Sequence, residues 1–173
     1  MPTSPDMTQV YVAAGSNVDP QTNLTKALGE LARRFHEVQV SPWYRNAAVG
    51  FEGEDFINFV FGFRTRLGVH AMLAQLREVE ALCGRPRNAP KWAARAMDLD
   101  VLLYDDLTLD DPQLKLPRPD LLVRPYMLGP LAAIAPALRH PTAGRTIGEL
   151  WTAFDGRAHV MHEVRPAGTV RWP

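Results

Sequence analysis

The sequence has very little cysteine, no long apolar run and no excess of charge of either sign. Cys83 is the single cysteine among 173 residues, which excludes an internal disulfide and a cluster of thiolate metal ligands. No run of about 18 apolar residues is present, so no membrane-spanning helix is predicted. Lys and Arg total 19, as do Asp and Glu, so the net charge is zero and no overall field favours nucleic acid or an anionic membrane.

The start of the chain also lacks the basic region and apolar stretch of a secretory signal, so we expect a cytoplasmic protein. The length and the 46% content of apolar residues fit one domain over residues 1–173, with residues 1–7 and 166–173 as flexible tails. We expect a monomer, with neither nucleic acid nor a membrane as its partner.

Hydrophobic periodicity predicts an alternation of strands and helices. Asp19 is expected to cap the first helix, with Pro20 at its first position. The predicted elements, in chain order, are a strand at Val10 to Ala14, a helix from Pro20, an extended segment at Glu37 to Trp43, a strand at Phe56 to Arg64, a helix at Val69 to Cys83, a strand at Asp98 to Tyr104, a helix near Tyr126 to Ala135 and another near Ile147 to Phe154. This order is typical of a ferredoxin-like α+β sandwich, in which helices cover one face of a mainly antiparallel sheet and the other face is available.

The period of two along Phe56 to Arg64 sorts its side chains onto two faces. Ile57, Phe59, Phe61 and Phe63 share one face, which predicts a core. Phe56 and Asn58 share the other. The amide of Asn58 could read a heterocycle through its donor and acceptor, or it could satisfy a neighbouring strand, and the residues alone favour the second interpretation.

Asp98 and Asp100 lie two residues apart on a predicted strand, so both project from one face, while Leu99, Val101 and Leu103 are predicted to point into the core. Two carboxylates this close repel each other unless a cation lies between them, and Mg²⁺ favours carboxylates, water and substrate phosphates. An exposed acidic strand edge is the alternative interpretation.

The segment 84–97 breaks the periodicity and carries four basic residues, so it predicts a loop beside the aspartates. Guanidinium groups bind phosphate oxygens, and such a loop could close over a triphosphate; a solvated basic loop is the alternative. Glu80 falls on the apolar stripe of the second helix and needs a partner, either a sugar hydroxyl or an arginine. Phosphate-binding glycine motifs and a Ser or Cys nucleophile motif are absent from the sequence.

Taken together, these segments resemble the 6-hydroxymethyl-7,8-dihydropterin pyrophosphokinase family of folate biosynthesis. The resemblance implies transfer of the β,γ-diphosphate of ATP to a pterin hydroxymethyl group, with release of AMP. The segments that carry it are Tyr11 to Asn17, Asp55 to Asn58, Gly84 to Arg87, Lys91 to Tyr104, Leu116 and Pro117, and Arg124 to Leu128.

The resemblance also implies a set of site residues. Asp98 and Asp100 would hold two Mg²⁺ ions, and Arg85 and Arg95 would stabilise charge on the transferring group. The implied ATP contacts are Glu80, Arg85, Arg87, Trp92, Arg95, Val101, Gln113, Lys115 and Arg118. The implied pterin contacts are Asn46, Val49, Phe56, Asn58, Trp92, Arg95 and Tyr126, with Phe56 and Tyr126 stacking on the two faces of the pterin.

Three segments depart from the family pattern. Asn46 to Gly50 replaces a threonine followed by prolines, Arg118 replaces a histidine, and Ala93-Ala94 replaces Gly-Pro before Arg95. The first two departures motivate an alternative, a diverged paralogue that binds pterin or nucleotide with weak or altered transfer. An RNA-binding module of the same topology is disfavoured, because the face of Phe59 suits a buried core and the net charge is zero.

Overall fold

The computed structural model describes residues 6–46, 55–84, 97–155 and 161–165. Within these ranges no helix is both long enough and apolar enough to cross a bilayer. The elements are β1 (Thr8–Ser16), α1 (Pro20–Arg34), β2 (His36–Val40), β3 (Trp43–Asn46), β4 (Phe56–Thr65), α2 (Val69–Leu82), β5 (Asp98–Tyr104), β6 (Leu109–Asp110), β7 (Lys115–Leu116), a 3₁₀ turn (Pro119–Leu122), α3 (Pro125–Ile134), α4 (Ile147–Thr152) and β8 (His162–Val164).

The main sheet is antiparallel throughout and has the strand order β5-β1-β4-β3-β8, with β2 also paired to β4. With α1 and α2 between its strands, this is the predicted ferredoxin-like α+β arrangement. The predicted extended segment after α1 is two strands, because Pro42 has no N–H to continue the ladder. The hydroxyl of Ser41 accepts from Val60 N at 2.9 Å and fills the gap between β2 and β3.

One face of the sheet packs against α1 and α2, as the alternation along β4 predicts. The rings of Phe59, Phe61 and Phe63 are fully buried in this core. Phe63 stacks on Phe35 with ring centroids 3.9 Å apart, and Phe59 stacks on Trp43 at 5.1 Å. The aromatic content of β4 therefore forms an interior rather than an exposed platform for bases.

The opposite face is not wholly available, and in this respect the sequence prediction was wrong. Tyr11, Ala13 and Val60 form a second core there with residues of α3 and α4. The physical reason is that α3 is apolar on nearly all sides, so it must be covered on more than one side. What remains of this face lies at the ends of β1, β4 and β5 that carry Gly15, Asn58 and Asp98.

The predicted orientation of Leu103 was also wrong. The pairing of β1 with β5 steps from Val12 opposite Val101 to Tyr11 opposite Leu103, so Leu102 is the extra residue of a bulge. The bulge reverses the alternation, and Leu103 joins the second core instead of the core that holds Leu99. The bulge follows Asp100 in the chain, so Asp98 and Asp100 still project from the same face of β5.

The start of α1 also departs from expectation. Pro20 does occupy the first turn, but the backbone of Asp19 is left-handed, at φ 39° and ψ 57°. An N-cap side chain reaches the first-turn amides from an extended backbone, and the Asp19 side chain makes no cap hydrogen bond with the described residues. Asn23 of the first turn donates from Nδ2 to Val18 O at 2.6 Å, which ties the turn to the segment before it.

Candidate functional site

Two carboxylates project from one face of the edge strand β5. Asp98 lies opposite Gly15 of β1 and Asp100 lies opposite Ala13, two residues apart on each strand. Gly15 in turn lies opposite Asn58 of β4. The parity predicted for the aspartates agrees with this register, and it puts them on the same sheet face as Asn58.

The surroundings of the Asp100 carboxyl disfavour its charged form. Burial, and to a smaller extent the charge of Asp98, raises the pKa of Asp100 to about 6 from an ordinary 3.8. The guanidinium groups of Arg118 and Arg77 lower this pKa without cancelling the rise. Because the two arginines do not fully compensate the carboxylate charges, a cation bound beside the pair would stabilise it.

Arg118 is the basic side chain nearest to Asp100 among the contacts described. Its Nη1 lies 3.6 Å from Asp100 Oδ1, and its Nη2 lies 3.3 Å from Asp120 Oδ2. The Arg118 backbone N–H donates to Leu102 O at 3.0 Å, which ties this segment to β5. Within the described ranges Arg118 Nε is buried without a hydrogen-bond partner. The side chain thus joins the aspartates to the neighbouring cavity.

That cavity has a volume of about 310 Å³. Four of the expected ATP contacts line it, namely Val101, Gln113, Lys115 and Arg118, together with Arg77. Its far wall is a turn held by the Asp111 side chain, whose Oδ1 accepts from Gln113 N at 2.8 Å and from Leu114 N at 3.1 Å. The structure therefore brings together residues from β5, α2 and the segment around β7.

Glu80 forms an ion pair with an arginine, which is one of the two possibilities that the sequence left open. It is buried, and its Oε1 accepts from Arg77 Nη1 at 2.6 Å and from Leu99 N at 2.8 Å. It is not among the described residues that line the cavity. Sequence reasoning missed Arg77, although its position three residues before an acid on an apolar stripe was a usable signal.

The expected pterin contacts lie on and near β4. Gly15 leaves room for the Asn58 side chain, because a Cβ at that position would lie 2.6 Å from Asn58 Oδ1. Asn46 lies opposite Phe56 in the sheet, and its Nδ2 is buried with no hydrogen-bond partner among the described residues. An amide and an aromatic ring therefore stand on neighbouring strands beside Asn58.

Tyr126 is at the start of α3, where it packs against the second core. Burial raises the pKa of its hydroxyl, and the charge of Asp100 contributes to the rise. The remaining expected site residues lie outside the described residues; these are Val49, Arg85, Arg87, Trp92 and Arg95.

Comparison with known proteins adds to this geometry. Residues 11–136 match the family model for 7,8-dihydro-6-hydroxymethylpterin-pyrophosphokinase (HPPK). A Pseudomonas aeruginosa protein named 2-amino-4-hydroxy-6-hydroxymethyldihydropteridine pyrophosphokinase is 38% identical over 154 residues, which cover 86% of this chain and 94% of that one. A Synechocystis protein of the same name is 37% identical over 147 residues, covering 83% of this chain and 75% of the relative.

Among solved structures, the chain is similar to wild-type Plasmodium falciparum HPPK-DHPS crystallised with pteroate, with a TM-score of 0.68 and 13% identity. The match covers 88% of this chain but 43% of that longer one, and at this identity it shows the fold alone. The family model and the bacterial relatives cover most of the chain, including the strand that carries both aspartates. The chain therefore belongs to the 7,8-dihydro-6-hydroxymethylpterin-pyrophosphokinase family.

Proposed function

We propose that Asp98 and Asp100 hold Mg²⁺ for the ATP-dependent pyrophosphoryl transfer that this family carries out on hydroxymethyldihydropterin in folate biosynthesis. As a member of that family, the chain is an ATP-dependent pterin pyrophosphokinase. The observation that carries the metal assignment is the crowding of two carboxylates on one sheet face, with the pKa of Asp100 raised to about 6.

The donor set fits magnesium. Both donors are carboxylate oxygens, and no group of three or more His, Cys, Asp or Glu that could hold a metal occurs within the described part of the chain. Mg²⁺ is commonly held by one or two carboxylates, with water and substrate phosphates as its other ligands. When bound, two Mg²⁺ ions would neutralise charge on the phosphate oxygens of ATP.

For ATP, we propose the cavity beside β5. Val101, Gln113 and Lys115 would line the nucleotide, and Arg118, which lines the cavity and contacts Asp100, would bind the phosphates. Glu80 also belongs to the set that the family resemblance implies, but among the described residues it does not line this cavity, and its Oε1 accepts from Arg77 Nη1 and Leu99 N. Arg85, Arg87, Trp92 and Arg95 complete the set, with Arg85 and Arg95 stabilising charge on the transferring group.

The pterin would lie at the ends of β3 and β4. The Asn58 amide can both donate to and accept from a heterocycle, and the buried Nδ2 of Asn46 supplies a further donor. Phe56 and Tyr126 would stack on the ring. Val49, Trp92 and Arg95 are the other contacts that the family resemblance implies.

In the proposed reaction, the pterin hydroxyl attacks the β-phosphorus of ATP. A bond forms between the hydroxyl oxygen and that phosphorus, the bond from the β-phosphorus to its bridging oxygen breaks, AMP leaves with the bridging oxygen, and the hydroxyl proton passes to water. The residues of the site act by holding the two substrates in line and by placing positive charge around the phosphates. A histidine acting as general acid or base is not required.

The direct test is incubation with Mg·ATP and 6-hydroxymethyl-7,8-dihydropterin, followed by chromatography of the nucleotides. We expect AMP that forms only when the pterin is present. ADP in its place would show cleavage of the wrong bond and contradict the proposal. An absence of product, with pterin still bound, would favour the diverged paralogue that Arg118 and the segment Asn46 to Val49 motivate.

We also propose that the protein acts as a single-domain monomer in the cytoplasm, with small molecules as its substrates. Residues of one chain supply both the aspartate pair and the cavity, so the site requires no second copy. Sedimentation velocity at micromolar concentration should give the mass of one 19.3 kDa chain.

The close approach of Gly15 to Asn58 supplies a further prediction. In Gly15→Ala the new methyl group would meet Asn58 Oδ1 at 2.6 Å, so the amide must turn away from its present position. Loss of one good hydrogen bond is worth about 1.4 kcal/mol, and we expect the KM for pterin to rise about tenfold with the KM for ATP unchanged.

Gly29→Ala is the matched control, because a Cβ on this residue of α1 meets nothing within 4 Å. It should leave both KM values as they are. An unchanged KM for pterin in Gly15→Ala would show that the Asn58 amide does not bind the substrate.

A further inference from the structure

The outer edge of β5 is covered by side chains. β5 lies at one end of the strand order, and among the described residues it pairs with β1 on one side and with no strand on the other. At Leu99 the peptide groups are nonetheless paired: its N–H donates to Glu80 Oε1 at 2.8 Å, and its carbonyl accepts from Arg77 Nη1 at 3.1 Å. Two side chains of α2 thus take the place of a neighbouring strand.

The two side chains also form an ion pair with each other. Arg77 Nη1 lies 2.6 Å from Glu80 Oε1, so one ion pair and two backbone hydrogen bonds share the same few atoms. The Glu80 side chain is 7% exposed, and hydrogen bonds to a buried carboxylate are strong and costly to lose. We call this arrangement of Arg77, Glu80 and the Leu99 peptide groups the β5 clamp.

The β5 clamp hydrogen-bonds to the backbone of Leu99, the residue between the two aspartates. In a strand, the direction of each side chain follows from the peptide planes on either side of it. The Leu99 N–H belongs to the peptide plane that follows Asp98, and the Leu99 carbonyl belongs to the plane that precedes Asp100. Fixing both groups therefore holds the stretch of backbone from which the two Asp side chains project, and with it the directions of their Cα–Cβ bonds.

We infer that Arg77 and Glu80 are positioning residues for the carboxylate pair, acting through the backbone of Leu99. This inference rests on the proposed function, since it takes the pair to be the metal site. It gives Glu80 a different role from the nucleotide contact that the family resemblance implies. Arg77 also lines the nucleotide cavity with part of its half-exposed side chain, so the clamp joins the wall of that cavity to the aspartates.

The test uses the full chain and the variants Glu80→Ala, Glu80→Gln and Arg77→Gln. Mn²⁺ binding is followed by electron paramagnetic resonance with α,β-methylene-ATP present, and AMP binding without metal is followed by calorimetry. Hydrogen exchange of the Leu99 amide, observed by NMR, reports on the clamp itself and needs no substrate.

The matched control is Arg33→Gln. Arg33 and Glu30 form an ion pair at the same spacing of three residues on α1, with Nη1 and Oε1 2.8 Å apart. The control variant should keep the wild-type Mn²⁺ affinity within about twofold, because partners that orient metal ligands are worth 10-fold to 100-fold and this pair is not one of them.

We expect Glu80→Ala to weaken Mn²⁺ binding about tenfold or more and to speed exchange of the Leu99 amide, with AMP affinity unchanged. Glu80→Gln keeps an acceptor for Leu99 N and should restore most of the protection and most of the affinity. Arg77→Gln tests the same inference at a half-exposed position if Glu80→Ala does not fold, and its Mn²⁺ affinity should fall in the same way.

Wild-type Mn²⁺ affinity in both Glu80→Ala and Arg77→Gln would overturn the inference and leave the proposed function standing. Weakened AMP binding in Glu80→Ala, with unchanged exchange at Leu99, would also overturn it, because Glu80 would then contact the nucleotide. If the wild-type protein binds no Mn²⁺ with the ATP analogue, the metal assignment fails and the inference fails with it.

Discussion

Replacing Asp98 or Asp100 with Asn should lower kcat/KM for pterin-dependent AMP release by about a thousandfold, or about 4 kcal/mol of transition-state stabilisation. Each substitution keeps the shape of the side chain and removes one of two negative charges that share a sheet face. With one carboxylate left, the phosphates would lose most of the cationic charge that the pair is proposed to hold.

The measurement is the rate of AMP formation at saturating Mg·ATP over a range of pterin concentrations. Asp106→Asn is the control, because Asp106 is an exposed acid in the turn directly after β5. A loss of less than about tenfold in both site variants, with Asp106→Asn at the wild-type rate, would contradict the assignment of the pair as the metal site.

Asp100→Asn should at the same time make the metal-free protein more stable at neutral pH. The folded-state pKa of Asp100 is about 6, above its ordinary value of 3.8, so the native state binds this proton more tightly than the unfolded state does. The free energy of unfolding therefore falls as the pH rises from about 4 to about 6, and the full cost of the charge is present above that window.

The pKa difference corresponds to about 3 kcal/mol of destabilisation above pH 6. The pKa of about 6 already includes the attraction of Arg118, and Asn removes the charge, so we expect Asp100→Asn to gain up to about 3 kcal/mol at pH 7.5. Urea unfolding without Mg²⁺ at pH 7.5, 5 and 4 measures this gain, which should shrink towards zero at pH 4.

Bound ligand should reverse the order of stabilities. A ligand that binds one site of the folded state, and not the unfolded state, raises the free energy of unfolding by RT ln(1 + [L]/Kd). With Mg·ATP in excess, wild type should gain stability and Asp100→Asn should gain little. A variant that is less stable than wild type at pH 7.5 without Mg²⁺ would show that the Asp100 charge does not destabilise the apo protein.

Most of the main elements could be predicted from local pattern. The alternation of β4 separates its phenylalanines from Asn58 wherever the strand lies, because side chains alternate across any strand. The spacing of Asp98 and Asp100 puts them on one face for the same reason. The family resemblance added the chemistry, which the Asp-x-Asp spacing alone left open between a metal pair and an exposed edge.

Features that depend on which strand or helix packs against a segment could not be predicted in this way. The bulge at Leu102 reversed the expected side of Leu103, and α3 covered part of a face that was expected to be available. Both depend on the match between two segments distant in sequence, and periodicity within one segment carries no information about that match.

The candidate site likewise has features that the local sequence predicts and others that depend on the packing of distant segments. Which side chains share a strand face, and which residue types can hold a divalent cation and phosphates, follows from the order of residues along the chain, since period and donor chemistry are local properties. That Glu80 and Arg77 grip the Leu99 backbone, that Asn58 lies across Gly15, and that Arg118 contacts Asp100 follows only from packing of the folded chain. These contacts join residues between 18 and 43 positions apart, and their distances depend on how helices and strands pack rather than on any local pattern.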